Sequence, residues 1–312
     1  MIKPYLDYNQ QIQKLTSQKK LIIQDSDYAR QTLIDIGYFS LIGGYKTPFI
    51  NQMTRIYEIP TKFEDIVALY QFDKDLRKLT FSYLTDIEQK VRQLISDGFC
   101  SYYGEQQSAY LSISSFSSSP AHRSAVIKLI ALLDKLANRD HDHPYIVHQR
   151  NTYHNVPLWV LTKALTFGQL SKMYSLLNFR QQSHVSKTYQ HVSENELARY
   201  LNALTFFRNV CAHNERLYCH RLTQQDFPDK NLHSKLGISK RGNQYIQGKK
   251  DYFGLVIAFR YLLSREEFNR YKKELIKIFH SFFSNNHRIT ESELLDMMGF
   301  PPNWKQITRY QL

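Results

Sequence analysis

Arg208, Asn209, His213 and Arg216 bring a guanidinium, an amide, an imidazole and a second guanidinium to one short stretch, Leu197 to Tyr218, that reads LARYLNALTFFRNVCAHNERLY. Imidazole is the only one of these groups that titrates near neutral pH in its unperturbed state, which makes His213 the candidate general acid or base. Arg208 offers a planar fork suited to phosphate oxygens on which negative charge builds. Asn209, one helical turn before His213, is placed to fix the imidazole tautomer or to hold a substrate hydroxyl. Arg216 would bind a further phosphate. At 3.6 residues per turn, Leu197, Tyr200, Leu201, Leu204, Phe207 and Cys211 fall on one apolar face, with Asn202, Thr205, Asn209, His213 and Arg216 on the other. Arg208 lies on the flank, about 140° from His213 on an ideal wheel. A polar stripe of this kind marks a surface that meets something charged, and a merely solvated helix face has the same pattern.

The elements that must carry this stripe read as helices. The chain has 312 residues, only 11 of them Gly, and a formal net charge of +13. It is long enough for a real core and reads as all-α. The basic excess predicts attraction to polyanions, nucleic acid before acidic membrane. The 22 Tyr and 19 Phe supply flat faces for unpaired bases, although most sit at helical spacing among Leu and Ile, where packing explains them. Three cysteines, Cys100, Cys211 and Cys219, form no CxxC pair and suit a reducing compartment. MIKPYLDYNQ has no export core and no apolar run approaches membrane length. The expectation is therefore a cytoplasmic protein without a membrane span.

In chain order, Asp7 is placed to cap a helix through Leu15, and Asp25 or Ser26 one through Ile36. In GYFSLIGGYKTPF, Gly37 to Phe49, the Gly43-Gly44 pair predicts a sharp turn, and Pro48 stops any helix crossing it. No Lys-Ser/Thr follows the glycines, so a phosphate loop is a weak reading. Phe63 to Ile95 has the clearest periodicity, carried by Ile66, Leu69, Tyr70, Leu76, Leu79, Tyr83, Ile87, Val91 and Leu94. It predicts one long helix or a kinked pair. Glu88 and Arg92 stand four apart on its polar side, the spacing of an intrahelical ion pair. Ser112 to Pro120 reads as a flexible loop, and His122 to Asn138 as a short helix.

His141, His143, His148 and His154 invite a zinc reading, but no Cys lies nearby and no HExxH frames them. Cys211-x-His213 with Cys219-His220 would be an irregular metal set, so neither a metal nor another cofactor is assigned. Leu158, Leu161, Leu165, Leu170 and Tyr174 read as core. Gln224 to Lys250 reads as a long basic loop that carries Lys230, Lys235, Lys240, Arg241, Lys249 and Lys250 around Tyr245, the composition of a strand clamp or of a mobile solvated loop. Two helical segments between Tyr252 and Asn285, parted near Ser264, precede a tail in which Trp304 should pack back onto the bundle.

The hexad Arg208-Asn209-Val210-Cys211-Ala212-His213 resembles the Arg, polar residue, His signature of HEPN-domain ribonucleases. Its setting, RNVCAHNERLY, is similar to the Abi-like abortive-infection family of the AbiD/AbiF type. Four other stretches resemble that family in the same order. GYFSLIGGYKTPF resembles its N-terminal hallmark, with Ser40 where Arg is usual. FDKDLRKLTFSYLTDIEQKVR resembles its first HEPN helix, VPLWVLTKALTFGQLSKMY its Pro-Leu-Trp-Val segment with Lys163 where an acid is expected, and LLDMMGFPPNW its C-terminal ending. The resemblance implies a HEPN-type helical bundle (63–222) with an N-terminal helical extension (1–62) and a C-terminal part of basic loop and helices (223–312). It further implies a metal-independent endoribonuclease of phage defence, usually a homodimer whose two Arg/His motifs face each other, and in some relatives held by a small structured non-coding RNA. Arg208, Asn209 and His213 would be catalytic, Arg92 would assist and Glu88 orient the site. Arg92, Arg216, Lys240, Arg241, Lys249 and Lys250 would contact RNA. The competing readings are a non-catalytic RNA-binding protein that grips phosphate with the same motif, and a nucleotidyl-transferring toxin, for which no second catalytic motif is present.

Overall fold

The computed structural model describes residues 2, 4–286 and 288–312. Helices follow one another as α1 (Tyr8–Gln13), α2 (Ser26–Ile36), α3 (Phe63–Tyr103), α4 (Gln107–Tyr110), α5 (Arg123–Arg139), α6 (Pro144–Tyr153) and α7 (Leu158–Leu161). After them come α8 (Phe167–Leu176), α9 (Phe179–Ser186), α10 (Glu194–Ala212), α11 (Asn231–Lys235), α12 (Tyr252–Leu262), α13 (Arg265–Asn285) and α14 (Glu291–Met298). A two-residue hairpin pairs β1 (Lys240–Arg241) with β2 (Gln244–Tyr245), Lys240 opposite Tyr245. The fold is all-α.

Helix α3 is the spine. Its 41 residues run without a break, and α7, α8, α9, α10 and α13 all pack against it. The reason is its stripe: Ile66, Leu69, Phe72, Leu76, Thr80, Leu84, Ile87, Val91, Ile95 and Phe99 recur every three or four residues and are all buried. Buried apolar side chains form one cluster from Leu15 to Ile307, a core shared by the segments 1–62, 63–222 and 223–312. Trp304 closes it at the C-terminal end, fully buried against Phe279 and Phe300.

Asp7 and Asp25 cap α1 and α2 as their positions predict, accepting from the backbone N–H of Gln10 and Tyr28. Three expectations are corrected. Gly43 and Gly44 do not form the sharp turn; Phe39–Gly43 is a π-helical turn, and the left-handed glycine is Gly37, φ 87°. Ser112 to Pro120 is not a free loop, because Ser115 and Phe116 are buried and Phe116 bridges to Leu177. Gln224 to Lys250 is folded: it contains α11 and the hairpin, and Phe227, Leu232, His233, Leu236 and Ile238 are buried.

Beyond that segment, Asp251 caps α12 from an interior position, 4 % exposed, accepting from the N–H of Gly248 and Gly254. Gly299 closes over it in the left-handed conformation, φ 80°, where a Cβ would stand 2.2 Å from the Asp251 carboxyl carbon. Burial pushes that carboxyl up to about 6. A raised acid contributes stability below its unfolded pKa and loses it as pH rises through the folded one, here over the window from roughly 4 to 6. Relative to the native chain, Asp251→Asn should therefore gain about 3 kcal/mol between roughly pH 4 and pH 7 in paired denaturation curves. A difference that stays constant over that range would show that the buried carboxyl does not titrate there.

Candidate active site

Helix α10 starts at a capping box in which Ser193 and Glu196 satisfy each other's backbone N–H groups. Its apolar face, Leu197, Tyr200, Leu201, Leu204, Phe207 and Cys211, is buried, as the wheel predicts. The helix ends earlier than the periodicity suggests. His213 is the C-cap, Asn214 is left-handed at φ 55°, Asn214 N–H bonds Cys211 O (3.3 Å) and Glu215 N–H bonds Val210 O (3.0 Å). This pair of bonds is a Schellman termination, with Asn in the place more often held by Gly. His213 thus stands at the helix end, exposed, and Arg216 lies beyond the helix altogether.

Arg208 faces α3. Its Nε lies 3.6 Å from Glu88 Oε2, and its guanidinium sits 5.7 Å from the Phe81 ring centroid. Glu88, itself buried, also accepts from Arg92 at 2.7 Å. Arg92 is fixed in turn by the carbonyls of Thr162 and Leu165. One carboxylate therefore orients two guanidiniums. Arg92 serves as a brace for Glu88 and the α7–α8 turn, with its donors turned inward, which corrects the expectation of direct RNA contact for that residue. Glu88→Ala should cost roughly 1–3 kcal/mol, because Arg92 loses its acceptor and Arg208 its counter-charge. A urea midpoint unchanged by the substitution would mean that water replaces the carboxylate at no cost.

Asn209 and His213 point away from this pair into solvent, and among the described residues no hydrogen bond joins their side chains to each other or to Arg208. Arg216 is exposed and donates to Gly44 O at 3.0 Å. Lys240, Arg241 and Lys250 are exposed, Lys240 lying over the Tyr245 ring at 4.5 Å. Lys249 is a correction: it is buried, with its ammonium held by Phe227 O, Asp229 and Asp226, so it ties the segment down internally. Lys163 is exposed on the turn after α7. Burial raises the Cys211 thiol to about 12 and raises that of Cys219, which keeps both in the unreactive protonated form.

A second cluster was not read from the sequence. Asp73 and Arg77 on α3 are buried and joined at 2.5 Å. Tyr45 Oη donates to Asp73 at 2.7 Å, Arg77 donates to Tyr45 Oη and to Glu215 O, and Asp73 accepts the N–H groups of Leu217 and Tyr218. Burial raises the Asp73 pKa, opposed by Arg77 and these donors. The cluster fastens the hallmark turn and the strand of chain after His213 to one point on α3. Its signal was present: Asp73 and Arg77 occupy apolar positions of the α3 stripe, four residues apart.

A family model described as Abi-like protein matches residues 31–219, more than half of the chain. The span takes in Tyr45, Asp73, Arg77, Glu88, Arg92, Arg208 and His213, so both clusters lie inside it. This chain belongs to the Abi-like family. The Abi-like segment ends at Cys219, leaving Lys240, Arg241, Lys249 and Lys250 outside it. Comparison with curated proteins and with solved structures gave no match. Among the described residues no helix is long and apolar enough to cross a membrane.

Proposed function

We propose that this Abi-like protein acts in abortive infection, a phage-defence response, as a metal-independent endoribonuclease of the HEPN type. The observation that carries the reading is the end of α10. An exposed His213 stands free at the helix C-cap, one turn after Asn209, while Glu88 holds Arg208 on the same helix. In the proposed reaction the RNA 2′-hydroxyl attacks the adjacent phosphorus and the bond to the 5′-oxygen breaks. The products are a 2′,3′-cyclic phosphate and a 5′-hydroxyl. His213 moves the proton, taking it from the attacking hydroxyl or giving it to the leaving oxygen. Arg208 neutralises the phosphorane oxygens. Asn209 holds the hydroxyl or the imidazole.

Arg208 and His213 face different directions in one chain, which favours a site completed by a second copy. A twofold contact presents each motif to the other. Phe206, apolar yet 43 % exposed on α10, belongs at that contact. Phe206→Glu should give a folded monomer with cleavage reduced at least about a hundredfold, as expected when a positioned proton-transfer group is lost. Full specific activity from a monomer shown by mass would refute the shared site. The net charge of +13 and the exposed Lys240, Arg241 and Lys250 also support a structured RNA as resident partner, which sequencing of co-purifying RNA would identify.

The direct test is cleavage of bare RNA by purified protein in chelator, with end-group analysis. A 5′-phosphate product, or dependence on added metal, would refute the mechanism. The second reading is RNA binding without cleavage. It is favoured by the absence, among the described residues, of a side-chain partner for His213, and retention of RNA without scission would establish it.

A further inference from the structure

A groove of about 800 Å³ opens beside the residues that follow His213. One wall is the hallmark turn, from Phe39 to Gly44; the floor is α3 at Tyr70 and Lys74; the other wall is the chain from Asn214 to Arg221. Four Lys and Arg side chains line it, of which Arg77 is already paired with Asp73. Lys74 is exposed with no ion-pair partner among the described residues. Arg216 spends one nitrogen on Gly44 O, and Arg221 reaches the carbonyls of Asp296 and Met297. Two acids, Asp35 and Glu215, also line the groove, Asp35 already accepting from Gln31.

Phe39 stands at its edge, 87 % exposed. Its ring lies against Gly43, where a Cβ would come within 3.3 Å of Cδ2, and Arg216 passes Gly44, where a Cβ would meet its Cδ at 3.8 Å. Gly43 therefore gives the aromatic ring room to lie against the turn, while Arg216 passes Gly44 at ordinary contact distance. A single exposed Phe means nothing alone. Beside three cations in an open groove it is the pairing that single-stranded nucleic acid requires, a ring for a base and positive charge for the flanking phosphates.

The groove adjoins the end of α10, since Asn214, the residue after His213, lines it. Lys74, Phe81 and Glu88 are spaced by sevens on α3, so they form one stripe with about 10 Å between successive members. Lys74 lines the groove, while Phe81 and Glu88 hold Arg208. We propose that this groove seats the unpaired nucleotide next to the scissile phosphate, its base stacked on Phe39 and its phosphates on Lys74 and Arg216. The inference rests on the ribonuclease reading of α10 and adds to it a substrate class, single-stranded RNA, and a role for the hallmark turn.

The test uses the full chain carrying His213→Ala, with fluorescein-labelled oligouridylate and a duplex of equal length as probes. Phe39→Ala should weaken single-strand binding on the order of tenfold and Phe39→Tyr should restore it. Lys74→Ala should lower the slope of log affinity against log salt by about 0.7. Phe179→Ala removes another exposed ring, 71 % accessible and outside the groove, and should change nothing. Affinity within twofold of the parent for Phe39→Ala, an equal loss on the duplex, or full competition by oligoglutamate would overturn the proposal. The two readings separate cleanly. Native protein that binds oligouridylate through Phe39 and Lys74 yet cuts no RNA would sink the ribonuclease and keep the groove. Cleavage at subsaturating RNA that Phe39→Ala leaves untouched would sink the groove alone.

Discussion

His213→Ala should abolish RNA cleavage, by a factor of 10² to 10⁴ or more, while moving the unfolding midpoint by no more than about 0.5 kcal/mol. The two halves of this expectation come from one placement. His213 is exposed at the C-cap, and only its backbone is used in the Schellman termination. Truncating its side chain removes no buried contact. It does remove the imidazole to which proton transfer is assigned in the proposed reaction. Cleavage and urea denaturation measured on the same preparation decide the matter. Activity that falls only in proportion to the folded fraction would make His213 a structural residue. Activity that persists undiminished would move proton transfer to another side chain.

The second large effect is on stability. Asp73→Ala should cost about 3–5 kcal/mol, since it leaves the Arg77 guanidinium buried and uncompensated and strips the acceptor from Leu217 and Tyr218 N–H. Part of that loss should be local. The chain from Glu215 to Tyr218 should exchange its amide hydrogens faster, and Arg216 should lose its fixed approach to Gly44. Calorimetry together with hydrogen exchange on those residues tests both parts. A cost below about 1 kcal/mol would mean that water enters and solvates Arg77, so that the cluster is a surface feature in energetic terms.

The long helix, the α10 core face, the caps at Asp7 and Asp25, the break at Ser264 and the burial of Trp304 were all legible, because each is a local pattern of period or capping. What the sequence hid was long-range. Asp73 and Arg77 look like another solvent-side ion pair of the Glu88–Arg92 kind until their position on the apolar stripe is counted. Even then nothing in the sequence says that their partners are Tyr45 and the Glu215–Tyr218 chain. Arg216 was read onto the polar face of the α10 wheel, yet the helix ends at Ala212 and the chain runs on as loop through Leu217 and Tyr218. Those two are buried as loop residues, and Asn at φ 55° is a stop that needs no glycine. Among the basic residues, composition could not separate Lys240 and Arg241, which are exposed, from Lys249, which is consumed by Asp226 and Asp229. The polar spacing of Glu88 and Arg92 was visible; that the same carboxylate also reaches Arg208, from a helix 120 positions further on, was not.

The knot at Asp73 also sets a timetable for synthesis. Arg77 is translated 138 positions before the Glu215 carbonyl it bonds. At about 5–20 residues per second, the interval is roughly 7 to 28 seconds. Until then the Asp73–Arg77 pair must remain wet, and the face of α3 that carries it cannot be sealed. Tyr45 is already made and waiting, so the last piece to arrive is the stretch just after His213. A nascent chain therefore carries every part of the hallmark turn and the spine while the end of α10 at His213 is still unmoored, and under the proposed ribonuclease function a ribosome making this protein would not meet a finished site before the chain has passed Tyr218.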